Sequence, residues 1–265
     1  MNVALASRPA VLTIEADEPF VTLDAVTKVF GKGKRSVKAL DNVSLELVKG
    51  EFVCILGASG CGKSTLLSLV AGLDKPTSGT IEIADGRPAV MFQEPALLPW
   101  LTVRRNVELP MRLHKVDTDE RNKTVNRLLS MVGLIDFADH RPHQLSGGMR
   151  QRCALARALA QDSELLLMDE PFAALDALTR DQLHDDLNRI WQETAKTIIF
   201  VTHNVREAVR LGDRVVLMTP RPGRVAQIWD VAIARPRELD SFEVAGLAHE
   251  ITTQLRAGAN GNGTE

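Results

Sequence analysis

The chain has 265 residues, of which 45% are hydrophobic and 25% charged, and a formal net charge of −2, enough for one large α/β domain or two small ones. It carries no basic block of the kind that binds polyanions and gives no sign of nucleic-acid affinity. No run approaches the ~18 apolar residues that span a bilayer, and Met1–Ala6 lacks the basic start and apolar core of a secretion signal, so any membrane role is expected to come through a partner. The three cysteines, Cys54, Cys61 and Cys153, are odd in number and do not read as a disulfide framework; a reducing cytosol fits them best.

Residues 1 to about 18 are weakly patterned, an N-terminal segment expected to be disordered. Phe20–Val29 and Leu40–Leu47 alternate apolar and polar residues and predict strands at a sheet edge. Gly31–Ser36 between them reads as a hairpin loop. The apolar run Phe52-Val53-Cys54-Ile55-Leu56 predicts a core strand, and Ser64–Ala71 a helix.

Between strand and helix, residues 57–65 read Gly-Ala-Ser-Gly-Cys-Gly-Lys-Ser-Thr. They fit G-x-x-x-x-G-K-[ST], a loop whose backbone N–H groups cradle phosphates. Gly57, Gly60 and Gly62 allow the turns that aim successive N–H groups at an anion, and the helix N-terminus adds partial positive charge. Lys63 is expected to reach the outer phosphates, and the Ser64 hydroxyl to ligate Mg²⁺.

Thr80–Ala84 and Ala89–Phe92 read as short strands broken at Asp85-Gly86. From about Glu94 to Ala160 the pattern turns helical. Asp119–Val132 sets Val125, Leu128, Leu129 and Val132 on one side and stops at Gly133; a second helix runs from about Gly147 to Gln161. Leu165–Met168 is a buried strand, Asp181–Glu193 an amphipathic helix and Thr197–Val201 a core strand followed by a helix through Arg210. Strands are expected at Arg214–Met218 and Arg224–Trp229, and a last helix over Phe242–Arg256. The Gly/Asn-rich tail 257–265 is expected to be disordered. Strands alternating with helices predict an α/β fold, with a mainly parallel sheet, helices on both faces and the helical stretch 94–160 as an inserted arm.

Two further groups carry chemistry. Leu165–Met168 ends in Asp169-Glu170, and ligands of parallel sheets gather beyond the carboxyl ends of strands. Asp169 is therefore placed to hold Mg²⁺, and Glu170 to polarise a water for attack on the γ-phosphate. Leu145-Ser146-Gly147-Gly148-Met149-Arg150-Gln151-Arg152 is a second glycine signal: Ser146 can cap a helix, and Gly147 and Gly148 let backbone N–H groups approach an anion.

Together these motifs resemble the nucleotide-binding subunit of ABC transporters, over about residues 19–235. The resemblance implies a P-loop NTPase (RecA-like) core with an N-terminal antiparallel β subdomain and an inserted α-helical subdomain at about 94–160, all within one ATPase domain at 19–256. It makes Gly57, Ala58, Ser59, Gly60, Cys61, Gly62, Lys63, Ser64 and Thr65 nucleotide contacts, with Ser64, Gln93 and Asp169 around Mg²⁺. Gln93 resembles the Q-loop glutamine, Asp176 in Ala174-Leu175-Asp176 the D-loop aspartate, and His203 the switch histidine that works with Glu170. Leu145, Ser146, Gly147, Gly148 and Gln151 resemble the signature that contacts the ATP of a partner copy. Met149 departs from the glutamine usual there. Phe30 stands where an adenine-stacking tyrosine is usual, in a chain with no tyrosine; its π-face still permits stacking.

In the family two copies dimerise head to tail, each ATP lying between the P-loop of one and the signature of the other. The implied partners are a second copy, integral-membrane permease subunits and, indirectly, a periplasmic solute-binding protein, with the chain peripheral at the cytoplasmic face of a bacterial inner membrane. Leu97-Leu98-Pro99-Trp100 after Gln93, Arg221-Pro222-Gly223-Arg224-Val225 and Ala234-Arg235-Pro236-Arg237 look like the nitrate, sulfonate and taurine importers. Leu97, Leu98 and Trp100 either form an apolar patch for a partner helix or pack the arm's own core. The alternative is a soluble ABC-type ATPase not coupled to transport, against which stand the short, globular gap from Thr65 to Leu145 and the single cassette. A non-catalytic regulator is expected to lack Glu170 or His203.

Overall fold

The computed structural model describes residues 18–260. Its centre is a six-stranded sheet in the order β5-β6-β7-β3-β8-β9. The strands are β3 (Phe52–Leu56), β5 (Ala89–Met91), β6 (Leu165–Asp169), β7 (Thr197–Thr202), β8 (Arg214–Met218) and β9 (Val225–Asp230). Every pairing is parallel except β8 with β9. β1 (Val21–Phe30), β2 (Val37–Leu47) and β4 (Ser78–Ile83) form a separate antiparallel sheet in the order β2-β1-β4. The two short strands around Asp85-Gly86 thus belong to different sheets.

Alternation along each central strand divides the core. Val53, Ile55, Leu165, Leu167, Ile199 and Val201 pack with β1, β2 and α1 (Lys63–Val70) on one face. Phe52, Cys54, Leu56, Leu166, Met168 and Phe200 pack on the other face, against helices. These are α4 (Gly147–Leu159), α5 (Ala177–Thr194), α6 (Val205–Leu211) and α7 (Phe242–Asn260). The arm adds α2 (Val103–Leu113) and α3 (Thr118–Met131). Val107, Leu129 and Cys153 join the same apolar cluster as Phe200 and Leu187, so the arm's core is continuous with the core under the sheet.

Differences from expectation are local. α5 begins earlier than Asp181 because the Asp176 carboxylate accepts from the Thr179 amide at 3.0 Å and caps it. α2, with Arg104, Arg105, Arg112 and an internal Pro110, has no clean apolar run in sequence. It is started by the Thr102 hydroxyl, which accepts from the Arg105 amide at 3.3 Å. α7 continues to Asn260, so the expected disordered tail is corrected for residues 257–260: helix hydrogen bonds propagate beyond the packed face carrying Val244, Ala248 and Ile251. Residues 261–265, and 1–17 of the expected N-terminal segment, lie outside the described residues.

Candidate nucleotide site

The parallel strands all send their carboxyl ends to one rim. β3 leads into Gly57–Gly62, β6 ends in Asp169-Glu170, β7 is followed by His203, and β5 is followed by Phe92-Gln93. Ser59, Gly60, Gly62, Lys63, Ser64, Thr65, Gln93, Asp169 and Glu170 line one cleft of about 440 Å³, with Val37, Lys38, Ala39 and Arg221. The crevice beyond strand ends in an open parallel sheet is the usual ligand position.

The loop is shaped for an anion. Gly62 sits at φ +97, and a Cβ there would lie 2.7 Å from Leu40 Cδ2 and 2.9 Å from the Ala39 carbonyl, so only glycine fits. Lys63 is 5% exposed. Its Nζ donates to the carbonyls of Gly57 (2.9 Å) and Ala58 (3.2 Å) and lies 3.7 Å from Glu170 Oε1. These are the loop's own acceptors, ready to be exchanged for phosphate oxygens. Cys61 turns its side chain into the core, at 1% exposure, and can offer a ligand only its backbone.

Ser64 and Asp169 face each other in the cleft. Burial raises Asp169 above the usual aspartate value, with the nearby Glu170 carboxylate acting in the same direction and Ser64 and Lys63 opposing. A hydroxyl, a carboxylate and the exposed Gln93 make an all-oxygen donor set, which suits Mg²⁺. Glu170 is held at φ +44 by its amide bond to the Val201 carbonyl at 3.0 Å. A left-handed glutamate costs on the order of 1–3 kcal/mol and persists where the surroundings impose it. Its Oε2 lies 2.9 Å from His203 Nδ1.

Behind His203 stands a buried network that sequence reading missed. Thr202 Oγ1 donates to Glu207, whose Oε1 is 2.6 Å from His184 Nε2. It ties the end of β7 to both α5 and α6, and no local motif announces it because its members come from three elements. Phe30 is 44% exposed, so it is not an ordinary core aromatic. It pairs across the strands with Val37 of the cleft wall, and Lys28 Nζ stands 5.0 Å from its ring centroid.

The signature residues lie elsewhere: none of Leu145–Arg152 lines the cleft. Ser146 is exposed, and its hydroxyl accepts from the Met149 amide at 3.2 Å, capping α4. Gly147 and Gly148 pack against the D-loop region: a Cβ on Gly147 would be 3.3 Å from Leu175 Cδ2, and one on Gly148 2.4 Å from Thr179 Cγ2. Asp176 caps the adjoining α5.

Gln151, expected at the ATP of a partner copy, turns inward in the single chain: it is 3% exposed, and its Nε2 donates to the Gln93 carbonyl at 2.9 Å. The reason is helical phase: Gln151 shares the buried stripe of α4 with Ala154, Leu155 and Ala158. Leu145 is buried too, and its side chain packs in the chain's own core. The patch expected at Leu97, Leu98 and Trp100 divides. Leu97 packs against the core and Trp100 is 67% exposed, while fully buried Asn106 bonds both the amide and the carbonyl of Leu98.

The model of the family described as ABC transporter matches residues 40–173. This chain belongs to the ABC transporter family. The cassette is 48% identical over 242 residues to an uncharacterized ABC transporter ATP-binding protein of Methanocaldococcus jannaschii, covering 88% of this chain and 90% of that one. It is 42% identical to a nitrate import ATP-binding protein of Synechococcus elongatus, over 84% of this chain and 85% of the relative. It is 47% identical to a taurine import ATP-binding protein of Roseobacter denitrificans, over 75% and 76% respectively. Among solved structures, the dimeric cassette MJ0796 in a post-hydrolysis state bound to ADP and Pi superposes with a TM-score of 0.71 at 36% identity, covering 81% of this chain and all of that one. The cassette is an ATPase of the ABC type.

Proposed function

We propose that the cassette is the ATP-hydrolysing subunit of a membrane importer for a small solute, an anion such as nitrate, a sulfonate or taurine. Two copies close on ATP and open after its hydrolysis. One observation carries this reading: the chain has two anion-ready helix ends, at Gly62-Lys63 and at Ser146-Gly147, and the second contributes nothing to the cleft formed by the first. Both can serve one triphosphate only if they come from different copies. The likeness to the dimeric cassette and to nitrate and taurine import proteins supports it.

In this reading the backbone of Gly57–Thr65 and Lys63 bind the phosphates, and Phe30 stacks on adenine. Ser64, Asp169 and Gln93 would hold Mg²⁺, which supplies charge neutralisation at the β- and γ-phosphates. Glu170, oriented by Lys63 and His203, takes the proton of the attacking water, while His203 senses the γ-phosphate. Ser146, Gly147 and Gly148 offer backbone and hydroxyl donors to the ATP of the other copy.

Gln93 reports to the arm through its carbonyl bond to Gln151. Arg157, further along α4, grips the Pro95 and Ala96 carbonyls at 2.7 Å each. A broad groove lined by Leu73, Val90, Phe92, Ala96 and Arg157 receives a permease segment. Among the described residues no helix is long and apolar enough to cross a membrane. In this reading the cassette sits at the cytoplasmic face of the inner membrane through its permease, with a periplasmic binding protein delivering solute from the other side.

The test is reconstitution of the cassette with its permease in vesicles. ATP-dependent uptake of labelled nitrate, taurine or an alkanesulfonate is expected, with ATP hydrolysis rising when permease and solute are present. Hydrolysis indifferent to the permease, with no uptake of any solute, would support a soluble ATPase uncoupled from transport.

A further inference from the structure

Of the loops at the carboxyl ends of the parallel strands, the one after β8 has no role in the reading above. Residues 219–224 are bonded to one wall of the cleft, at β2, and packed against the other, the phosphate loop. The Gly223 amide donates to the Ala39 carbonyl at 2.9 Å, and the Asp41 amide to the Gly223 carbonyl at 3.0 Å, a bridge to β2. Gly223 lies so close to the phosphate loop that a Cβ there would be 2.1 Å from the Cys61 carbonyl. Within the loop, Thr219 Oγ1 donates to the Pro222 carbonyl at 3.0 Å and accepts from the Arg224 amide at 3.1 Å.

This anchored loop presents Arg221 at the mouth. Arg221 is held at φ +36, left-handed for a residue with a Cβ. It lines the cleft with Lys63, Ser64 and Asp169. Its Nη2 stands 3.5 Å from where a Cβ on Gly60 would be. The neighbouring cations Lys38 and Arg224 are already engaged, both pairing with the single carboxylate of Asp41 at 3.0 and 2.8 Å. Among the described residues Arg221 makes no hydrogen bond and no ion pair. A guanidinium with all its donors free, carried by an anchored backbone beside a loop built for phosphate, is suited to a polyanion.

We infer that Arg221 binds the polyphosphate of the nucleotide held by Gly57–Thr65, as a second side-chain cation beside Lys63. The inference rests on the nucleotide cleft proposed above. It assigns a binding function to the Arg-Pro-Gly-Arg segment, which is bonded to β2 and packed against the P-loop.

The test is calorimetric binding of ATP, ADP and inorganic tripolyphosphate to the wild type, Arg221→Met, Arg221→Ala and Lys63→Ala. Arg221→Met keeps the aliphatic stem and removes the charge. Both Arg221 variants are expected to lose about five- to tenfold in affinity for all three ligands at low salt, with the loss narrowing at high salt. Their thermal unfolding should match the wild type because the side chain is exposed.

Wild-type affinity in Arg221→Met would overturn the inference. A loss for ATP with none for tripolyphosphate would also overturn it, making Arg221 a contact to base or ribose. Unchanged binding with lost ATP-driven dimerisation would make it a contact to the partner copy. Wild-type binding by Lys63→Ala would instead overturn the cleft reading itself.

Discussion

Asp169 is a carboxylate held partly out of water at the end of a buried strand. Because burial raises its pKa in the folded chain, the fold retains the proton more tightly than the unfolded chain does. Its contribution to stability is therefore greatest in acid and declines as pH rises through the interval above the ordinary aspartate value. Asp169→Asn, which keeps an acceptor for Ser64 and never ionises, should melt higher than the wild type at pH 7 without ligand. The gap should close toward pH 4, while Mg²⁺-dependent hydrolysis is lost. A lower melting temperature at pH 7 would contradict the electrostatic account. Glu170 carries the complementary expectation. Glu170→Gln keeps the side chain's size and its link to His203 but removes the base, so phosphate release should fall about 10²- to 10⁴-fold. ATP-bound dimers should persist in size-exclusion chromatography, and hydrolysis at the wild-type rate would refute the assignment of the base.

The joint between α4 and α5 is tight for a definable reason. Gly148 leaves no room for a methyl group beside Thr179 Cγ2, and Asp176 fixes the start of α5 through the Thr179 amide. The glycine pair thus has a packing duty as well as the donor duty proposed for it. Gly148→Ala should destabilise by about 1–3 kcal/mol through overpacking, read as a fall in melting temperature of roughly 2–4 °C per kcal/mol. Thr179→Ser removes the obstructing methyl group and should restore most of the loss in the double variant. An additive double variant would show that the two groups do not collide. The other stitching is made by two arginines. Arg237, 6% exposed, donates to the Ile233, Val209 and Val231 carbonyls at 2.8, 3.0 and 2.9 Å. Arg235 bonds Asn188 and Asp213 at 2.8 Å and lies over Trp191. The Ala-Arg-Pro-Arg segment therefore straps the last part of the chain to α5, α6 and the sheet.

The head-to-tail arrangement proposed for two copies makes a prediction that no single copy can meet. Lys63→Ala disables the P-loop of its own chain, and Ser146→Arg obstructs the signature offered to the other. Each variant alone leaves both sites of a dimer defective. A mixed dimer joins the two defects in one site and leaves the other intact. Mixing two inactive preparations should therefore restore a substantial fraction of ATP turnover, dependent on protein concentration. If each copy hydrolysed ATP with its own residues alone, the mixture would stay inactive.

The P-loop, Asp169-Glu170, His203 and the strand-helix alternation were legible because each is written in contiguous residues. An apolar run followed by a glycine turn or a carboxylate pair is local chemistry, and the parallel-sheet rule then brings the strand ends to one rim. The amphipathic pattern of α5 understates its length because its cap lies outside that pattern, and α2 leaves no separate signal because its charges and Pro110 mask its buried face. Gln151 stood in a recognised motif, yet the turn of α4 against Gln93 sends it inward. The His184–Glu207–Thr202 network carried no readable signal, since its members lie on elements remote in sequence, and the motif around Arg221 did not by itself say that the residue lies at the cleft. The order of residues determined which chemistry the chain possesses; packing between distant segments decided which of those groups share one cleft and which face the protein's own interior, because side-chain direction depends on neighbours that only the assembled sheet and helices supply.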